Sequence, residues 1–342
     1  MIRLELKPLK TVEDARSMLE TAIGLEFGTL PPYLYAMFSI PPGKNVAAAN
    51  LIKSVLMQEM IHMCLACNIM NALGGTVKLV PPKYPGPLPG DIGPIGKDAL
   101  VIHLYRLSKE GMKQGMDIEQ PETIPNFPVL KAAPGVPATG TIGQFYQRLD
   151  DFLATLPPGV WKKGRNQITD NQFFTGQLFA VNDYADAHRA IEEIVSEGEG
   201  AKDEPLDFQQ ELAHYYRFGE VYHDRVLTKI AKPPGYQWGP AKLGVIWKDV
   251  FPAIPDPGTH DFSKDSAAAR AAQAACNAAY TRMVDALQQA VTGTKGALGN
   301  AVRAMFDLRL ATQVALRTPL ADGVSVAGPA FLYTPIKGGA KA

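Results

Sequence analysis

Apolar residues recur at three- and four-residue spacing over most of the chain, which predicts helices rather than strands. The first is expected over 11–40. Thr11 is an N-cap candidate, Asp14 sits at the third helical position, and Ala15, Leu19, Ala22 and Leu30 fall on one stripe. Pro31 and Pro32 should kink or break it before YLYAMF resumes. A second helical pattern fills 46–73 and stops at Gly74-Gly75. Further patterns cover 97–115, 141–156, 169–200 and 205–231, the last opened by Asp203, Glu204 and Pro205. Two alanine-rich helices are expected over 264–292 and 296–317, and the tail KGGAKA reads as frayed. Strand patterns are confined to short stretches such as Thr76–Val80 and Leu100–Leu104.

Proline organises the rest. The 342 residues include 28 prolines, above the usual share of about 5%. They cluster between the helices, in VPPKYPGPLPGDIGPIG (80–96), in 117–139 and in 232–258, where helix interiors are excluded. The reading is an all-α protein in which four long helices (11–40, 46–73, 169–200, 205–231) form a bundle. Residues 1–235 would be that bundle, with Pro-rich insertions at about 76–168. Residues 236–342 would add a loop and a helical hairpin packed on it.

Composition removes several functions. Basic and acidic residues number 34 each, so formal net charge is zero. With no long basic run, a nucleic-acid partner is not expected. No run of about 20 apolar residues exists, so no membrane span is expected. Three cysteines and an N-terminus without an apolar segment fit a reducing, cytoplasmic setting.

The chemistry lies in polar residues on apolar faces. In the second helix, Leu51, Val55, Glu59, His62, Ala66 and Ile69 follow one 4,3,4,3 stripe. A buried carboxylate three residues from a buried imidazole needs a partner, and a metal ion is a good one. Glu211 and His214 repeat the spacing on a stripe with Phe218 and Val221. Glu26 follows Ala15, Leu19 and Ala22 inward. In the third long helix, Val181, Ala185, His188, Glu192, Val195 and Glu199 share a stripe, whereas Glu193 and Glu197 point elsewhere. Glu199, near the helix end, matches the height of Glu211 across a hairpin, and Glu192 remains the alternative. One Glu from each of two helices with a Glu-x-x-His from each of two others is the ligand set of ferritin-like dimetal carboxylate bundles. The expected metal ligands are therefore Glu26, Glu59, His62, Glu199, Glu211 and His214, with no catalytic residue assigned. Oxygen and imidazole donors suit iron, as one or two ions, with manganese or another divalent metal as alternatives.

Other candidates read as structure. Glu220-x-x-His223 lies half a turn around from Glu211, faces away and reads as surface or inter-subunit. Cys64-x-x-Cys67, mid-helix and off the ligand stripe, reads as two packed thiols, and His103 and His260 as ordinary polar residues. Tyr33, on the Glu26 stripe, reads first as core packing, with hydrogen bonding near a metal as the alternative. His188 is either a support for the centre or a satisfied core histidine.

The sequence resembles the ferritin-like proteins related to iminophenyl-pyruvate dimer synthase, of violacein-type pathways. The matching stretches are LEFGTLPPYLYAMFSI (25–40), QEMIHMCLACNIMNALGG (58–75), IEQPE (118–122), IGQFY (142–146), SEGEG (196–200), ELAHYYRF (211–218) and YTRMVDALQQA (280–290). Together they span nearly the whole chain. The resemblance implies a ferritin-like fold with bound metal and favours Glu199, within GEG, as third-helix ligand. Glu197 stands where the family often has Gln. The synthase itself is usually longer and couples two imine units oxidatively, so its substrate does not carry over. The function expected is an iron-dependent oxidoreductase acting on a small organic substrate with dioxygen or peroxide. The alternative is iron binding or oxidation without an organic substrate. Assembly into a homo-oligomer is compatible with either.

Overall fold

The computed structural model describes residues 2–94, 97–121, 139–170, 174, 176–200, 204–231 and 235–335, apart from the side chain of Glu199. Residue Asp203, most of 117–139, Lys232 to Pro234 at the start of the third Pro-rich loop, and the KGGAKA tail lie outside them. The described residues are mainly helical: α1 (Val12–Phe38), α2 (Val46–Ala72), α3 (Lys109–Ile118), α4 (Ile142–Leu153), α5 (Tyr184–Glu199), α6 (His214–His223), α7 (Ala267–Val291) and α8 (Ala297–Ala315). Two small antiparallel ribbons accompany them. One pairs β1 (Leu4–Glu5) with β2 (Thr139–Gly140), the other β3 (Leu227–Lys229) with β4 (Tyr236–Trp238). No described helix is long and apolar enough to cross a membrane.

The long hairpin α1–α2 is the centrepiece. Thr11 caps α1 in a reciprocal capping box with Asp14. Contrary to the expected break, α1 runs through Pro31-Pro32. Pro32 has no N–H for the carbonyl of Gly28, four residues earlier. The hydroxyl of Tyr84, from the Pro-rich loop, donates to that carbonyl instead. Gly74, at φ +78°, ends the α2 segment in the left-handed turn that glycine favours. Helices α3, α4 and α8 pack against α1, and α5, α6 and α7 against α2.

Three helices are shorter than the sequence pattern suggested. The pattern over 97–115 gives a helix only from Lys109. Leu100–Leu104 runs extended, with Ile102 bridging to Gly86, and Ser108 caps α3 through the N–H of Gly111. The pattern over 169–200 gives α5 only from Tyr184, capped by Asp183. The preceding stretch is a strap whose backbone is claimed by buried asparagines of α2. Asn68 donates to the carbonyls of Ile168 and Phe179 and accepts from the Ile168 N–H, and Asn71 donates to the carbonyl of Asn166. The pattern over 205–231 shrinks to α6. Asp207 Oδ1 accepts from the N–H groups of Gln209 and Glu211, and Gln210 takes a positive φ, so the chain turns before helix begins at His214. Asp224, in the left-handed region, closes α6 ahead of β3.

Candidate metal centre

Each element delivers one or two polar side chains to a single buried cluster. Glu26 comes from α1, Glu59 and His62 from α2, Glu119 from the C-cap of α3, Glu197 from the last turn of α5 and His214 from the first position of α6. All six are almost sealed from solvent. Helix α3 comes close enough to α6 because residue 115 is glycine: a Cβ there would lie 2.9 Å from the ring of Phe218. The same ring packs on Tyr33, with centroids 4.8 Å apart.

Ligand-type atoms form two groups that share Glu59. One is Glu26, Glu59 and His62; the other is Glu59, Glu119 and His214. Within each, the donor atoms lie within 4.8 Å of one another. His62 Nδ1 is 3.7 Å from Glu59 Oε1 and 3.8 Å from Glu26 Oε2. His214 Nδ1 is 2.8 Å from Glu59 Oε1 and 3.5 Å from Glu119 Oε2. The two imidazoles stack at 5.5 Å.

Both imidazoles present the same nitrogen inward because the other is held from behind. His62 Nε2 bonds Glu197 Oε2 at 2.7 Å, and His214 Nε2 bonds Gln58 Oε1 at 3.1 Å. In the neutral imidazole, the form a metal ion would bind, an acceptor at Nε2 selects the tautomer that leaves the Nδ1 lone pair facing the carboxylates. The carboxylates are braced as well. Tyr146 of α4 donates to Glu26 Oε1 at 2.7 Å, Thr29 to Glu59 Oε2 at 2.6 Å and Tyr33 to Glu119 Oε1 at 2.5 Å.

Crowding sets the protonation preferences. Burial, then the Glu59 charge, raises the pKa of Glu26 well above the ordinary carboxyl range, and the same causes raise that of Glu119. Burial pushes Glu59 upward too, but His214, His62 and the Thr29 hydroxyl outweigh it and leave Glu59 lowered. At His214 burial disfavours the imidazolium, yet Glu119 and Glu59 outweigh it and raise the pKa to about 9.

Two observations test whether the residues fit a cation. His214 Nδ1 is buried among carboxylate oxygens but makes no hydrogen bond of acceptable direction. Four carboxyl groups face two imidazoles, and among the described residues no lysine or arginine forms an ion pair with any of the four. Four buried carboxyl groups opposed by at most two imidazolium charges are costly. The donor set therefore fits metal: oxygen-rich, with one imidazole per group and a shared carboxylate.

Of the residues singled out from sequence, Glu26, Glu59, His62 and His214 meet here. Glu211 does not. It precedes α6 rather than lying about two turns inside a helix, its side chain is 61% exposed, and it pairs with Arg217 at 3.1 Å. Glu119 stands in the cluster instead. The side chain of Glu199 lies outside the described residues. Glu192 is exposed, and His188 bonds Asp150 at 2.8 Å rather than joining the core stripe. The buried stripe of α5 is Ala187, Ile191, Ile194 and Glu197, so Glu197 points inward, contrary to the face assigned above. A helix starting at Tyr184 shows that stripe directly, whereas a start at 169 pulled Val181 and His188 into the pattern. Glu119 carried a similar signal, following Met112 and Met116 at helical spacing. Glu220, expected at a surface or between subunits, is instead buried and belongs to neither donor group, its carboxylate accepting from the Leu227 N–H at 2.7 Å. Cys64 and Cys67 are buried free thiols. His103 and His260 pair with Asp256 and Asp265.

A family model described as Ferritin-like matches residues 19–223. Among solved structures, a ferritin like protein from Caulobacter vibrioides aligns with a TM-score of 0.64 at 22% identity, over 94% of this chain and 100% of that one. At that identity the likeness speaks for the fold. No curated protein matches.

Proposed function

The chain belongs to the ferritin-like family, and from that premise we propose that it is an iron-dependent oxidoreductase with two adjacent metal positions whose donor groups share Glu59. One position would be held by Glu26, Glu59 and His62, the other by Glu59, Glu119 and His214. The observation that carries this reading is the pair of inward Nδ1 atoms, each facing carboxylates and each fixed from behind. Bound iron would supply one-electron chemistry with dioxygen or peroxide toward a small organic substrate. The protein's own share is to hold the donors apart without bulk water. Tyr146, Thr29 and Tyr33 keep one oxygen of each carboxylate engaged, so the other is aimed at the cluster. The substrate of the iminophenyl-pyruvate dimer synthase group does not carry over, and imino and keto acids serve only as the first probes in an oxygen-uptake assay.

A second reading, iron oxidation without an organic substrate, draws on one feature. A cleft of about 210 Å3 lined by Glu192, Glu193 and Asp207, with Arg189 paired to Glu193 on its wall, reaches Glu197, the partner of His62, and its excess of carboxylates would suit a travelling cation. Metal content per chain and oxygen consumption separate the readings. The first expects bound iron and oxygen uptake that rises with imino or keto acids. Uptake with ferrous iron alone supports the second. Iron-supplemented protein without stoichiometric metal would sink both.

A further inference from the structure

Behind the α1–α2 hairpin, against α8, runs a groove of about 560 Å3, which none of the six centre residues lines. Its walls hold five of the protein's 11 methionines: Met37, Met57, Met60, Met283 and Met305. Between Leu34, Leu56 and Met60 it continues into a small cavity of about 50 Å3 bounded by Phe27, Leu30 and Leu287. The volume lies within the range of small-molecule sites. Unbranched, polarisable methionine side chains adapt to a flexible apolar guest.

Charge at the rim is one-sided. Lys44 and Lys53 stand on one wall, Arg309 and Arg317 on the other, and no aspartate or glutamate lines the groove. In a chain with equal numbers of acids and bases, that asymmetry is local. Lys44 is engaged by Asp249 at 3.2 Å. Lys53, Arg309 and Arg317 are exposed and form no ion pair among the described residues. Two arginines and a lysine over an apolar floor match an acid head on an apolar tail.

We propose that this groove binds a free medium- or long-chain monocarboxylate, with the tail among the methionines and the carboxylate between Lys53 and the two arginines. The test is titration calorimetry of the full chain with decanoate, beside 1-decanol and decyltrimethylammonium as tail-matched controls. Saturable decanoate binding that weakens with salt is expected, with the alcohol and the cation binding far more weakly. Reversing both arginines, Arg309→Glu/Arg317→Glu, should weaken decanoate roughly tenfold. Ala49→Trp, which fills the groove from the α2 side, should abolish it. Both changes should leave metal content unaltered, and thermal melting checks that each variant folds. Equal binding of the three probes overturns the proposal, as does decanoate affinity indifferent to both variants. Association with phosphatidylglycerol vesicles but not with free decanoate would also overturn it, marking a membrane-facing surface.

Discussion

His62 and Glu197 are bonded Nε2 to Oε2 at 2.7 Å, across 135 residues of chain and with both side chains buried. That contact decides which nitrogen His62 offers the cluster. Glu197→Ala should therefore weaken metal binding about 10- to 100-fold without removing a direct donor. Glu197→Gln keeps an acceptor oxygen and should retain most of the affinity. Competition with a metal-selective chelator measures both, and equal loss in the two variants would mean that Glu197 acts differently.

Glu59 belongs to both donor groups, whereas Glu211 belongs to neither. Glu59→Gln should strip metal from both positions. Glu211→Ala should leave metal content intact and cost about 1–3 kcal/mol of stability, because it removes a carboxylate partner from the buried guanidinium of Arg217. Elemental analysis of the two variants beside wild type distinguishes this arrangement from one with two helical Glu-x-x-His pairs.

Legibility from sequence followed how local the signal was. Glu26 and the Glu59/His62 pair lie on continuous helices with clear stripes, and capping at Thr11 fixed the first of them. The Glu211/His214 spacing looked identical but is not helical, because the Asp207 side chain captures the N–H groups that a helix would use. The strap before α5 failed for a related reason. Its backbone partners are Asn68 and Asn71, about a hundred residues away, and no local pattern reveals them. Glu119 was hidden by a helix boundary placed too early.

Gly115 is a distance constraint. With a Cβ at 2.9 Å from the Phe218 ring, Gly115→Ala should push α3 from α6 and cost about 1–3 kcal/mol. Because α3 carries Glu119 and α6 carries His214, the second donor group should lose affinity before the first. Chemical denaturation and stoichiometric metal titration measure the two effects.

The hydroxyl of Tyr84 serves the carbonyl that Pro32 leaves without its helical donor. Tyr84→Phe preserves the ring but orphans that buried acceptor, which should cost about 1–3 kcal/mol in denaturant unfolding. An unchanged midpoint would show that another donor takes over.

Burial raises the thiol of Cys64 to about 12, that of Cys276 to about 11, and that of Cys67 well above the usual thiol range. At pH 8 the thiolate fraction of Cys64 is then about one in ten thousand, and the thiolate is the reactive form. Native protein should resist iodoacetamide, while denatured protein should take up three equivalents, read by intact mass.

The two halves of the centre are reached by very different chain journeys. Glu26, Glu59 and His62 sit on one hairpin, so closing a single short turn gathers them. The other half waits for His214, whose partner Gln58 lies 156 residues earlier, and for Glu119 between them. Loop closure on that scale carries an entropic cost that a hairpin avoids. During synthesis from the N-terminus, the first half leaves the ribosome complete while the second still lacks its imidazole. A nascent chain therefore has three donors ready for one ion well before it has a place for the next.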